Sequence, residues 1–211
     1  MASVVMHLAI AKLVNEKLGM NERELFLGTI APDLSKEVGK KKYKSHFYKN
    51  TRSNIPDLEK FIKKYRRSMK KPFEMGYYIH LYVDKLWQEV VASDLFNTDS
   101  ITLLNGSVIT VKESDAKKLL YSDFSNINVD LIGRYEIDLS LFYLEPVIPK
   151  TKIDEIPIKK LNLIIQKMGT IIKNSEKART VVLDQKNVHK FIESSADEII
   201  DNLKSLKIIQ D

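Results

Sequence analysis

Apolar residues recur at helical spacing along most of the chain, and the longest uninterrupted example lies before its midpoint. The spacing there predicts a helix from about Pro72 to about Val91. Its apolar stripe consists of Gly76, Ile79, Val83, Leu86 and Val90. The remaining helices are expected to pack around this segment.

This central segment carries a histidine and an aspartate, His80 and Asp84, which are four residues apart. On a helix they lie one turn apart on one face, which also carries Phe73, Trp87 and Val91. An ionised carboxylate on such an apolar face is costly unless it is paired, hydrogen-bonded or bound to a metal. Three interpretations are open: a pair at a surface edge, a histidine–aspartate hydrogen bond beside the core, and a metal site.

The same periodicity predicts further helices over residues 3–18, 21–31, 56–69, 113–124, 129–135, 159–173 and 188–206. Gly19 is placed to end the first helix, and Pro32 to end the second. Asn105-Gly106 is a turn signal that fits a short hairpin near 100–111 or a simple loop. The predicted fold is all-α, a single multi-helix domain over residues 1–211 with any metal site lying among the helices.

The composition excludes several classes of protein. The chain of 211 residues has no cysteine, so disulfides and thiolate zinc sites are excluded. The apolar N-terminal stretch reads as an amphipathic helix and does not look like a signal peptide. No run approaches the length of a transmembrane helix. The expected compartment is therefore cytoplasmic.

Positive charge is concentrated in the first third of the chain. Residues 1–71 carry 17 Lys and Arg against 7 Asp and Glu, whereas the remaining 140 carry 17 against 21. This asymmetry is typical of solvated helix faces, and it also fits a field that attracts phosphate esters, nucleic acid or acidic lipid headgroups. Charge alone does not choose between these interpretations.

Histidines and aspartates recur in comparable settings before the central helix. His7 falls within the apolar stripe of the first helix, Asp33 follows Pro32, and His46 has aromatic neighbours in a basic loop. Individually these fit a core histidine, a turn aspartate and a packed loop. Together with the central pair they offer imidazole and carboxylate, which are the ligands of zinc and related metals when thiolates are absent.

A second helical pair, His189 and Glu193, lies on the flank of the last predicted helix, again four residues apart. Such pairs are common on helix surfaces. The pair is therefore open to two interpretations, an ordinary boundary pair or a further set of metal ligands.

Four short segments carry a resemblance to a known family. In chain order they are 6–11 (MHLAIA), 31–33 (APD), 45–48 (SHFY) and 79–87 (IHLYVDKLW). This order resembles the zinc-dependent phospholipase C family, which includes bacterial phospholipases C and the catalytic part of phosphatidylinositol-glycan-specific phospholipase D. The single-strand-specific zinc nucleases are more distantly similar. The resemblance covers roughly the first 90 residues.

The resemblance implies an all-helical fold with zinc bound between helices. By that resemblance Asp33, His46, His80 and Asp84 would hold one Zn²⁺, and His7 would bind a second, with Asp84 bridging the two. A third zinc in the family uses a histidine shortly after the central pair, where this chain has only Gln88 and Glu89. The third site is therefore left open, with His189 and Glu193 as its candidate ligands.

The predicted function is a zinc-dependent phosphoester hydrolase. It would cleave a small phosphodiester or a phospholipid headgroup ester through a metal-activated water. Asp33 and Asp84 are the catalytic candidates, and Lys44 and Tyr48 the candidates for substrate binding. The alternatives are a single-strand nuclease, which the basic N-terminal third would suit, and a non-catalytic metal-binding helical protein. Nucleic acid and a membrane surface are both compatible partners.

Overall fold

The computed structural model describes residues 2–50, 53–92, 100–144 and 148–210, and helices dominate these ranges. In chain order they are α1 (Val4–Leu18), α2 (Glu22–Ile30), α3 (Leu34–Glu37), α4 (Leu58–Tyr65), α5 (Pro72–Leu86), α6 (Glu113–Arg134), α7 (Leu161–Lys173) and α8 (Gln185–Ser205). Short 3-10 turns cover Ala31–Asp33, Ser140–Phe142 and Ile158–Lys160. A π-helical turn, Trp87–Ala92, continues α5. The predicted all-α fold class is confirmed.

The predicted hairpin is present as a small two-stranded sheet. Strands β1 (Ser100–Thr102) and β2 (Val108–Thr110) pair antiparallel, with Ile101 opposite Ile109. Gly106 has a φ of 85°, a left-handed conformation that glycine adopts without steric cost, as the Asn-Gly signal predicted.

The ends of the first two helices follow their sequence signals. The Ser3 hydroxyl accepts a hydrogen bond from the Met6 N–H and caps α1, which ends before the left-handed Gly19. The Asn21 side chain caps α2 in the same way, accepting from the Glu24 N–H at 2.9 Å. These caps fix where α1 starts and how the chain turns into α2.

One predicted boundary is confirmed and another is wrong. Helix α2 ends at Ile30, before Pro32 as predicted, and Pro32 lies in the 3-10 turn Ala31–Asp33, in whose first turn no N–H is needed. The helix predicted over 56–69 is shorter: Pro56 forms an isolated β-bridge with Tyr48, and α4 begins only after Asp57, whose side chain accepts from the Lys60 N–H.

The two helices predicted over 113–124 and 129–135 are one continuous helix, α6. The gap between the two predictions, 125–128, is helical, and buried polar side chains in it and next to it find partners elsewhere in the fold. The Asp123 carboxylate accepts from the backbone N–H groups of Val181, Val182 and Leu183 at 2.7–3.0 Å. The Asn128 amide donates to the Ser175 hydroxyl at 2.9 Å. The polar residues thus dock α6 onto its neighbours and do not interrupt it.

Helix α5 lies at the centre of the fold and is buried around almost its whole circumference. It packs mainly against α2, and also against α1, α4 and α8. The α2–α5 crossing is unusually close because Gly28 and Gly76 face the other helix. A Cβ on Gly28 would lie 2.0 Å from the Phe73 carbonyl oxygen, and one on Gly76 would lie 2.0 Å from that of Leu25.

The main hydrophobic core draws residues from every long helix, and a group of buried histidines and aspartates sits inside it. In the described ranges, no helix is both long enough and apolar enough to cross a membrane.

Candidate metal centre

Five predicted ligands converge on one place in the fold. His7 comes from α1, Asp33 from the 3-10 turn after α2, His46 from the following loop, and His80 and Asp84 from successive turns of α5. The three histidines and Asp84 are at most 2% exposed, while Asp33 lies partly open at the edge of the group. We refer to these five side chains as the His–Asp cluster.

Asp33, His46 and His80 have the mutual spacing of metal ligands, and Asp84 lies close to both of these histidines. His46 Nε2 lies 3.3 Å from His80 Nε2, 3.5 Å from Asp33 Oδ1 and 3.6 Å from Asp84 Oδ2. His80 Nε2 is also 3.6 Å from Asp84 Oδ2. Tetrahedral ligands with bonds of about 2.0–2.2 Å lie about 3.3–3.6 Å apart. Asp33, His46 and His80 therefore form one group of potential metal ligands, and Asp84 Oδ2 lies next to it through His46 and His80.

His7 faces the other oxygen of the Asp84 carboxylate. Its Nε2 lies 3.3 Å from Asp84 Oδ1, the oxygen that does not face His46 and His80. The rings of His7 and His80 stack with centroids 4.2 Å apart. His7, His80 and Asp84 form a second group of potential ligands that overlaps the first.

Backbone carbonyls fix the tautomers of two of these histidines. His7 Nδ1 lies 2.8 Å from the Ser3 carbonyl, and His80 Nδ1 lies 2.8 Å from the Thr29 carbonyl. A carbonyl can only accept, so each Nδ1 must carry the proton and, in the neutral ring, each Nε2 presents a lone pair. The close α2–α5 crossing brings the Thr29 carbonyl to His80.

His46 is oriented by the hydroxyl beside it. Its Nδ1 lies 2.9 Å from Ser45 Oγ, which can donate to the Lys42 carbonyl at 3.2 Å while accepting from the ring. The Tyr77 hydroxyl donates to the Ser45 carbonyl at 2.6 Å and fixes the loop. Phe47, the next residue, has a φ of 54°, which is a strained conformation for a large side chain.

Burial keeps the imidazoles of His7 and His46 neutral. It lowers the pKa of His46 to about 4, and burial together with the neighbouring His80 lowers the pKa of His7. Asp33 stays ionised: burial opposes its charge, but the Lys42 ammonium and His46 outweigh that effect and hold its pKa well below the usual range. The cluster thus offers lone pairs and negative charge together.

Three atoms of the cluster have no hydrogen-bond partner. They are His7 Nε2 and both carboxylate oxygens of Asp84, all buried. A neutral Nε2 lone pair has no proton to donate, so it cannot stabilise the carboxylate that faces it. Buried, unpaired polar atoms are expensive, and a cation between them would remove that cost. The cluster could therefore hold a metal ion.

Of the two residues predicted to bind substrate, Tyr48 lies beside the cluster and Lys44 lies exposed on the surface. The Tyr48 ring packs beside His46 with centroids 5.5 Å apart, and burial with the charges of Asp84 and Asp33 raises its pKa. Lys44 is exposed, whereas Lys42 of the same loop contacts Asp33 Oδ1. Sequence reasoning pointed to the loop but not to this lysine, because a run of lysines gives no signal of which one turns inward.

His189 and Glu193 do not join the His–Asp cluster. His189 Nδ1 contacts the Tyr135 hydroxyl and its Nε2 contacts Asp130, each at 3.1 Å. Glu193 is half exposed and lies 3.5 Å from Arg134. The turn of α8 that carries the pair faces α6, so the structure favours the ordinary boundary pair over a further set of metal ligands.

A cavity of about 270 Å³ lies beside the exposed edge of the cluster. Its lining includes the apolar residues Phe124, Met168 and Ile171. Its charged lining residues are Lys36, Lys167, Asp33 and Glu37. The cavity therefore combines an apolar surface, lysines beside carboxylates, and contact with one candidate metal ligand.

Comparison of the chain with protein-family models, with curated proteins and with solved structures found no match.

Proposed function

We propose that the protein is a metal-dependent phosphoester hydrolase whose metals are bound by the His–Asp cluster. The observation that carries the proposal is Asp84, a buried carboxylate that faces imidazole lone pairs through both of its oxygens. Without cations this arrangement is electrostatically unfavourable, and with them each atom gains a partner.

Two ions account for the directions of the ligands. Asp33, His46, His80 and Asp84 would hold the first ion, and His7 and Asp84 the second. Three imidazoles and two carboxylates, with no thiolate, suit Zn²⁺. Two dications would exceed the two carboxylate charges by two, which favours an anionic ligand.

When bound, the metals would supply a water acidic enough to ionise near neutral pH and positive charge opposite the phosphoryl oxygens. The residues of the chain orient the metal ligands. Ser3, Thr29 and Ser45 fix the imidazoles before any ion arrives, so little reorganisation is needed. Tyr48 forms an aromatic wall beside His46. Asp33, at the open edge, is placed to orient a water molecule through hydrogen bonding.

The cavity beside Asp33 supports the choice of substrate. Lys36 and Lys167 can pair with a phosphate once metal neutralises Asp33, and the apolar lining residues can bind the organic part of an ester. A small phosphodiester or a phospholipid headgroup ester fits both features. A cavity of about 270 Å³ suits such a molecule better than an extended strand.

A single-strand nuclease is the second candidate. It is favoured by the exposed lysines Lys36, Lys40, Lys41 and Lys44, which lie in the segment that leads to His46. Such an enzyme would bind oligonucleotides with an affinity that falls steeply as salt rises.

One set of assays tests the proposal. Metal per chain is measured by elemental analysis, and the protein is then stripped with a chelator and reloaded with Zn²⁺. Hydrolysis of bis(4-nitrophenyl) phosphate, short-chain phosphatidylcholine and single-stranded DNA is followed in each state. Zinc-restored activity on either ester supports the proposal, and activity on DNA alone supports the nuclease. Bound zinc without any hydrolysis indicates a non-catalytic metal-binding protein, and a lack of bound metal refutes all three.

A further inference from the structure

Lys42 contacts a carboxylate, Asp33, that a metal at the His–Asp cluster would also bind. Its ammonium contacts Asp33 Oδ1, the same oxygen that lies 3.5 Å from His46 Nε2. The side chains of Lys42 and Asp33 are 21% and 17% exposed, against 0% for His46. The Lys42–Asp33 pair therefore lies at the mouth of the cluster, between the buried ligands and solvent.

A dication bound by Asp33 would weaken this contact for two reasons. The metal would take electron density from the oxygen that the ammonium contacts, and the two cations would repel each other over a short distance. The ammonium would be stabilised again only by an anion placed between it and the metal.

The loop allows the ammonium to move while its backbone stays. The Lys42 carbonyl accepts from the His46 N–H at 2.8 Å and from the Ser45 hydroxyl at 3.2 Å. The Ser45 carbonyl is held in turn by Tyr77. The backbone of Lys42 is thus anchored to the segment that carries His46, and the long side chain can change partner without losing its place at the mouth.

We propose that Lys42 is a substrate-binding residue that changes partner: it neutralises Asp33 in the metal-free protein and binds the substrate phosphate once metal has displaced it. This inference rests on the proposed function. It makes Lys42 distinct from the other lysines of the basic loop, because only its contact with Asp33 Oδ1 couples metal binding to anion binding.

The proposal predicts opposite changes in two affinities when the ammonium is removed. In Lys42→Met the stem remains but the competitor for Asp33 is lost, so Zn²⁺ should bind the stripped protein more tightly, by roughly tenfold. Inorganic phosphate should bind the zinc-loaded variant more weakly, by roughly 10- to 100-fold, because a charge-assisted contact is missing.

Titration calorimetry measures both affinities. Zn²⁺ is titrated into stripped protein, and inorganic phosphate into zinc-loaded protein freed of excess metal, for wild type, Lys42→Met, Lys42→Arg and Lys49→Met. Lys42→Arg should retain phosphate binding, and Lys49→Met should match the wild type in both titrations because Lys49 is an exposed lysine with no role in the proposed site.

The outcomes separate this inference from the proposed function. If wild type binds no Zn²⁺, the proposed function and this inference both fail. If wild type binds zinc and phosphate but Lys42→Met leaves either affinity unchanged, the role of Lys42 is refuted and the proposed function stands. Weaker zinc binding in Lys42→Met also refutes it, because Lys42 would then support Asp33 as a ligand.

Discussion

At the level of single residues, the His–Asp cluster depends most on Asp84. Its Oδ1 faces His7 and its Oδ2 faces His46 and His80, so it touches every imidazole of the cluster. A carboxylate that is fully buried and lacks a hydrogen-bond donor is retained only if something else stabilises its charge.

Asp84→Asn should weaken both proposed metals together. The substitution removes a negative charge and one oxygen ligand from between two dications, so each affinity should fall by roughly 100-fold or more. Elemental analysis after gel filtration gives the metal count per chain. His7→Ala should lose only the second ion, and His46→Ala should lose chiefly the first. Full occupancy in Asp84→Asn would show that Asp84 does not bridge.

The stability of the stripped protein should fall in mild acid. The pKa of His46 lies at about 4 in the fold, against 6.5 ordinarily, so the unfolded chain binds more protons between these values. The contribution of neutral His46 to the free energy of unfolding is therefore complete above pH 6.5 and is lost as pH falls toward 4. From pH 7 to pH 5 the loss for His46 alone is about 2 kcal/mol, or roughly 4–8 °C in Tm.

Calorimetric scans of chelator-treated protein at pH 5 and pH 7 measure this change. The lowered pKa of His7 acts in the same direction. A His46→Gln variant should show a smaller decrease between the two pH values. Equal melting temperatures for wild type at both pH values would mean that His46 is protonated in the folded protein.

The residues of the cluster could be predicted from sequence, but the tautomers of their imidazole rings could not. Spacing placed His80 and Asp84 on one helix face, and the order of short segments joined them to His7, Asp33 and His46. The tautomers depend on the carbonyls of Ser3 and Thr29, and a backbone carbonyl leaves no signal in a sequence. His189 was equally plausible by spacing, and only the packing of α8 against α6 separates it from the cluster.

At the level of elements, the crossing of α2 and α5 positions the site. Gly28 and Gly76 allow each helix to approach the other's backbone, and this approach carries the Thr29 carbonyl to His80 Nδ1. Gly76 was named from sequence only as part of the apolar stripe and Gly28 not at all, because a glycine inside a helix gives no indication of which neighbour it contacts. Likewise, the continuity of α6 depends on the partners of Asp123, which lie about 60 residues further along the chain.

Gly76→Ala should be severely destabilising. The added Cβ would lie 2.0 Å from the Leu25 carbonyl oxygen, so the helices must separate, and we expect a loss of more than about 4 kcal/mol. Urea unfolding monitored by circular dichroism measures it. Gly133→Ala in α6 is the matched control, because nothing lies within 4 Å of its added Cβ, and a gain of about 0.5–1 kcal/mol is expected. Equal stabilities of the two variants would contradict the close crossing.

At the level of the whole molecule, the His–Asp cluster joins elements that are distant in sequence. It links α1, the turn after α2, the loop before α4 and the end of α5, all of which pack in the main core. A metal at this junction would bind the folded chain and not the unfolded one, so its binding free energy adds to the free energy of unfolding.

Removing the metal should therefore lower the melting temperature, and Zn²⁺ should restore it. At a free zinc concentration one hundred times the dissociation constant, the linkage amounts to about 2.7 kcal/mol, or roughly 5–10 °C for a chain of this size. Calorimetry with untreated, stripped and reloaded protein measures the shift. His189→Ala should show the wild-type shift, because His189 lies outside the cluster, and Asp84→Asn should show almost none. Identical melting curves after verified metal removal would mean that the cluster does not couple metal binding to folding, whatever its role in catalysis.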